Sequence, residues 1–202
     1  MRLKNTLNYY SLFSIFLYLT LIFGFYIDEN LNLGAIGDWE NTDLPVINDL
    51  SLNIKKTLLD YESYGHRHSP VYLIFLSLFK KVGLSIENIR FVHLNLSLLL
   101  IVYFYKCLIF KFDKVEKNIL LLLSLTIFLS PTFRSLAIWP SSRLIGLIFF
   151  VISTYEFLKF LKDPKKIYMW KNIIFLIISS YVSPNFSLFI IFFAYHYFRK
   201  VA

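Results

Sequence analysis

"SPVYLIFLSLFKKVGLSIENIR", residues 69 to 90, decides how this chain is threaded through a bilayer, because its apolar core from Val71 to Phe79 stops at Lys80 and Lys81. A spanning helix needs about 20 apolar residues, so this segment is too short to cross and reads as an interfacial helix over about 70–79. Downstream, "FVHLNLSLLLIVYFYKCLIF" (91–110) is a full span ending at "KFDKVEK", where Lys106, Lys111, Lys114 and Lys117 cluster. Basic clusters beside spans mark the cytoplasmic side.

From that end, "NILLLLSLTIFLSP" returns outward over 118–133, "TFRSLAIWPSSR" forms an outside turn, and 141–161 crosses back to a second basic loop, "KDPKK". Two shorter helices, 172–183 and 186–198, flank "SPN" and leave "RK" inside. Upstream, "MRLKN" precedes an apolar helix over 8–27 with no small-residue cleavage site, which predicts a retained first helix with a cytoplasmic N-terminus. The expected fold is all-α, a single polytopic transmembrane bundle over 1–202 with about six membrane helices. Counting the Val71 segment as a span instead would put "KFDKVEK" and "KDPKK" outside.

Composition agrees with this class. Of 202 residues, 57% are hydrophobic and 22 are Phe, and the mean hydropathy is +0.59, more apolar surface than one small soluble core can hide. The net charge of +8 sits in short clusters between apolar runs, a pattern of membrane orientation that excludes a nucleic-acid partner. The single cysteine, Cys107, excludes an internal disulfide and reads as a small apolar helix residue. With only 6 Gly, close helix contacts must come mainly from Ala, Ser and Thr.

The first outside loop, 28–90, carries most of the candidate chemistry. "GDWENTDLPVINDL" (37–50) is acidic, and Thr42 or Asp43 can cap a helix with Pro45 in its first turn. Ile47, Leu50, Ile54, Leu58 and Tyr61 then recur at helical spacing, predicting an amphipathic juxtamembrane helix over about 44–61. With the 70–79 helix it brackets "SYGHRHS", so that Asp38 and Glu40 on one side and His66, Arg67 and His68 on the other converge on one membrane face.

This layout resembles the N-terminal module of the GT-C superfamily of polytopic glycosyltransferases, whose members include protein mannosyltransferases and lipid A aminoarabinose transferases. "HSPVYLIFLSLFKKVG" resembles the family's entry into the second juxtamembrane helix, with His68, Pro70 and Tyr72 on its positions. "SIENIRFVHLNLSLLL" places Arg90 on the family arginine, and "LSPTFRSLAIWPSSRLIGLIFF" matches a later segment through Ser130, Pro131 and Arg143. The resemblance implies transfer of a sugar from a polyprenyl-phosphate donor to an acceptor on the extracytoplasmic face, in the setting of a bacterial inner membrane. Members are usually longer, which implies a partner subunit or a C-terminal part outside this chain.

By the same resemblance, an acidic residue of the first outside loop serves as general base or activator of the acceptor. Two sets compete: Asp38 with Glu40, and the Asp28, Glu29 pair that has the family's spelling. Asp38 is favoured, since 38 to 70 leaves room for one amphipathic helix and a turn, whereas Asp28 abuts the first span. A guanidinium matches phosphate oxygens, so Arg143, with Arg134 as second choice, is expected at the donor phosphate, assisted by His68 and His66. No cofactor is expected: the turn from Thr132 to Ser142 has no Asp or Glu to complete a two-loop metal cage, although Asp38, Glu40 and His68 could together hold a divalent ion. A noncatalytic membrane subunit remains an alternative; a transporter is a weaker one, with only His93, Asn95 and Glu156 as polar candidates inside the spans.

Overall fold

The computed structural model describes residues 2–31, 33–66 and 68–201, and among them every regular element is helical. Arg67 lies outside the described residues. Three helices are long and apolar enough to cross a membrane: α1 (Arg2–Tyr26), through its stretch Tyr9–Tyr26, α6 (Ile86–Lys111) and α9 (Ser142–Lys162). Between α1 and α6 lie α2 (Leu33–Asp38), α3 (Leu44–Leu52), α4 (Ile54–Leu59) and α5 (Val71–Lys81). At 1.5 Å per residue the eleven-residue α5 is about 17 Å long, short of the roughly 30 Å hydrocarbon thickness.

Local chemistry explains where the helices stop. Ser85 opens α6 by accepting from the Asn88 N–H at 3.2 Å. The apolar stretch 118–133 is not one straight element. α7 (Lys117–Leu125) tightens into a 3-10 turn (Thr126–Leu129) and meets α8 (Pro131–Ile138) at a bend of 67°. Pro131 pushes Ser130 out of helical geometry (ψ 119°), and Ser130 then caps α8 through the Phe133 N–H. Most of the expected outside turn is therefore helix α8, and only Trp139–Ser141 is extended.

The expected helix over 44–61 also breaks. Asn53 is extended (φ −153°, ψ 91°) and its side chain caps α4 through Lys56 N–H at 3.0 Å. Upstream, Asp43 caps nothing: its backbone is helical, and a π-helical turn, Trp39–Asp43, joins α2 to α3. Within an α-helix the Pro45 ring would clash with the Asn41 carbonyl, and the widened turn just before it relieves that conflict.

The end of α1 is a helix C-cap built on Asp28 in the left-handed region (φ 52°): Glu29 N–H donates to Gly24 O at 2.8 Å and Asp28 N–H to Phe25 O at 3.3 Å. Both carboxylates are then taken by arginines. Arg90 of α6 donates to Asp28 at 2.7 Å while its guanidinium lies 3.7 Å over Trp139 and 5.0 Å over Phe25. Arg134 of α8 grips Glu29 through two nitrogens, one at 2.6 Å, and reaches Thr20 O at 2.9 Å; Trp139 Nε1 donates to Glu29 O. The arginine-pinned Glu29 carboxylate crowds the place a Cβ at position 24 would take, so a larger residue there would have to displace that ion pair.

One apolar core joins Leu17 and Leu21 of α1, Val46, Ile47 and Leu50 of α3, Leu73 and Leu76 of α5, Leu94 of α6, and Leu144 and Ile148 of α9. A buried chain runs across it: Tyr72 hydrogen-bonds His93 Nδ1, and His93 Nε2 donates to Leu136 O at 2.8 Å. The most extensive helix pair is α9 with α10 (Lys166–Val182), ahead of α9 with α6; α11 (Phe189–Val201) follows a 3-10 turn, Pro184–Leu188. Small and polar residues make that crossing, as the low glycine content requires. Ser179 Oγ donates to Gly146 O at 2.7 Å, and Asn172 Nδ2 donates to Ser153 O at 2.9 Å.

A Cβ on Gly146 would stand 2.6 Å from the Ser183 Cβ, which is fixed to its backbone and cannot swing away, and 3.1 Å from the Phe186 ring. Gly146→Ala is expected to force α9 and α10 apart and to cost about 1–3 kcal/mol, as overpacking does. Thermal unfolding in detergent micelles measures it; an unchanged midpoint would refute the close crossing.

Candidate active site at the α9 N-terminus

A cleft of about 380 Å³ opens where α2, the π turn, the loop 65–68 and the start of α9 meet. Asp38, Asp43, His66, His68, Ser142 and Arg143 all line it. Each group is delivered by a local device. The π turn carries Asp43, Gly65 in the left-handed region (φ 61°) turns the chain so that both histidines face the cleft, and Ser141 caps α9 through the Arg143 N–H at 3.3 Å.

Asp43 and His66 form the innermost pair. His66 Nε2 lies 2.5 Å from Asp43 Oδ1, and their side chains are only 2% and 10% exposed. Burial pushes the Asp43 carboxyl above its usual range against the lowering pull of His66. Burial alone would lower the His66 imidazole, but its hydrogen bond to Asp43 and the charge of that carboxylate outweigh it and hold the ring above its ordinary value. On its other side, His66 Nδ1 meets both His68 O (3.3 Å) and His68 N–H (3.2 Å), so it finds a backbone partner whether protonated or not.

Nearer the mouth, Arg143 and Asp38 pair loosely at 3.6 Å with side chains 55% and 59% exposed. Such a pair is worth at most about 1 kcal/mol, so either partner can be drawn off by a ligand at little cost. His68 is held below the usual imidazole value first by burial, then by the Arg143 charge and by His66. Two polar atoms here are buried without a hydrogen-bond partner: His68 Nδ1 and Ser142 Oγ. At the same end of α9, helix dipole and Arg143 both favour an anion.

The sequence candidates separate accordingly. Asp38, His66, His68 and Arg143 come together in the cleft; Asp28, Glu29 and Arg134 are occupied in the ion pairs at the end of α1; Glu40 is exposed and does not line the cleft. Asp43 and Ser142 were not among the site candidates. Asp43 is one of two residues, with Thr42, that the position before Pro45 marks as a helix cap, and its partner lies 23 residues away. The considered ion site of Asp38, Glu40 and His68 does not assemble, and among the described residues no three His, Cys, Asp or Glu side chains are placed to hold a metal ion.

Below the cleft runs an apolar groove of about 510 Å³, and Arg143 and Leu136 line both cavities. The groove continues along α9 past Leu144, Leu147 and Val151, about 10 Å of helix, with Phe104 of α6 and Phe133 of α8 as its walls.

Because its folded value is raised, His66 contributes stability that is complete below the unfolded value of 6.5 and is lost as pH rises through the folded value. In Asp43→Asn the two largest raising contributions are lost, while the backbone contact with His68 and the Asp38 charge remain against burial, so the imidazole is expected to titrate lower than in wild type. Histidine NMR across pH reads this; an unmoved titration would refute the pairing. No known protein family model matches this chain, and no curated protein or solved structure is detectably similar to it.

Proposed function

We propose that this chain is a polytopic membrane protein whose cleft transfers a sugar from a polyprenyl-phosphate donor to an acceptor on the extracytoplasmic face, as the resemblance to GT-C glycosyltransferases implies. What supports this reading is the junction at Arg143, where a polar, anion-favouring cleft meets an apolar groove. An amphiphile with an anionic head matches both halves: the phosphate faces Arg143 and the α9 N-terminus, and the hydrocarbon chain follows Leu144, Leu147 and Val151.

A sugar on a lipid phosphate already carries a good leaving group, so the protein has to position the acceptor, remove its proton and stabilise charge on the departing phosphate. Arg143 serves the phosphate. Asp38, at the cleft mouth, accepts the acceptor's hydrogen bond and orients it once the ligand has displaced the loose pair. The outward apolar faces fit hydrocarbon as the surrounding solvent: Leu12, Phe16, Leu19 and Phe23 of α1 are 56–64% exposed. The basic ends of α6 and α9, with Lys111, Lys162, Lys165 and Lys166, belong on the cytoplasmic side, opposite the cleft, as in a bacterial inner membrane.

Asp38→Asn is expected to reduce sugar transfer from polyprenyl-phosphate donors in membranes by about 10²-fold, and Arg143→Ala by at least as much. Undiminished transfer in either variant would remove that residue from the site. A cysteine placed at Lys114 should resist a membrane-impermeant thiol reagent added to intact cells, and its labelling would invert the topology.

A further inference from the structure

We propose that His68 takes the acceptor's proton, and that the buried Asp43 and His66 pair positions it. This rests on the glycosyl-transfer reading above and replaces the expectation that a loop carboxylate acts as the base.

The backbone of residue 68 is held at both its carbonyl and its N–H. Tyr61 Oη donates to His68 O at 2.8 Å, His68 N–H donates to His66 Nδ1 at 3.2 Å, and His66 is itself anchored on Asp43. Yet the His68 ring nitrogen Nδ1 is buried with no partner in the protein. An unmet buried polar atom costs about 1–3 kcal/mol, so this nitrogen calls for a partner that a ligand or an ordered water in the cleft would supply.

Asp38 is the poorer base. It is well exposed at the cleft mouth, and its carboxylate is already paired with the Arg143 guanidinium. An imidazole titrates where a general base works best. The charged groups facing His68 are Arg143 from α9, Asp38 from α2, Asp43 from the π turn and His66 from its own loop. Burial and Arg143 keep its ring neutral at pH 7 and ready to accept.

In the step, the acceptor hydroxyl oxygen bonds to the anomeric carbon of the sugar. The bond from that carbon to the phosphate oxygen breaks, and its electron pair leaves on the phosphate at Arg143. The hydroxyl proton moves to His68 Nδ1, and the imidazolium then passes it to solvent as products leave.

The test uses the full chain in lipid nanodiscs with radiolabelled polyprenyl-phosphate mannose, glucose and aminoarabinose as donors, following release of polyprenyl phosphate with pH. A base must be neutral, so turnover should fall as pH drops through a value below 6.5. His68→Gln should lower kcat about 10²-fold or more with little change in KM and abolish that inflection, whereas Asp38→Asn should lower the rate and keep it. His68→Asn serves if the first variant unfolds on heating earlier than wild type. An inflection that persists in both His68 variants, or turnover that rises as pH falls, would overturn the proposal, as would a wild-type His68 ring found protonated at pH 7 by NMR. Wild-type protein that consumes none of the donors would instead remove the transfer reading, and the proposal with it.

Discussion

Two consecutive carboxylates, each held by an arginine from a different helix, fasten the end of α1 to the rest of the protein. Arg90 comes from α6 and Arg134 from α8; Arg90 lies over Trp139, the residue after α8, whose indole N–H donates to the Glu29 carbonyl. Their cost in desolvation is offset by dense satisfaction, since the Glu29 carboxylate receives two guanidinium nitrogens and its backbone carbonyl receives an indole N–H. The extended residues after Trp139 are thereby fixed, and with them the point at which α9 begins. The cleft exists because α9 starts there, beneath α2 and the loop 65–68.

Polarity in the cleft is graded by depth. The inner pair of Asp43 and His66 is shielded from water and tightly bound; the outer pair of Asp38 and Arg143 is wet and loose. Rigidity is therefore concentrated where geometry must be kept, and the groups free to change partner lie where a ligand would enter. The groove below extends the same gradient into mostly apolar surroundings.

Much of this was legible in the residues. The apolar runs of α1, α6 and α9 and the shortness of α5 follow from length and hydropathy alone, because hydrocarbon admits only helices that satisfy their own backbone. Of the residues read as site candidates, Asp38, His66, His68 and Arg143 line one cleft, whereas Glu40, two residues from Asp38, is exposed and does not line it. What escaped was non-local. Asp28 and Glu29 have the spelling of catalytic acids, but arginines 62 and 105 residues away occupy them. Asp43 has the sequence signature of a cap, and nothing near it in the chain announces His66. The bend at Pro131 and the π turn before Pro45 were hidden because each is a compromise between helix and proline, made in one turn rather than over a periodic stretch.

The π turn has a consequence for how this protein can vary. Such a turn amounts to one residue more than an α-helix would hold, and a residue of helix is worth about 100° of rotation. A chain lacking one residue between Trp39 and Asp43, with Pro45 replaced so that no ring meets a carbonyl, could still form a helix from α2 into α3, yet Asp38 would be swung about a quarter turn away from Asp43 and His66. Helicity and the site are thus separable by two changes. A lineage that kept the fold and abandoned the chemistry would leave its trace first in the length of this turn, not in the identity of the charged residues.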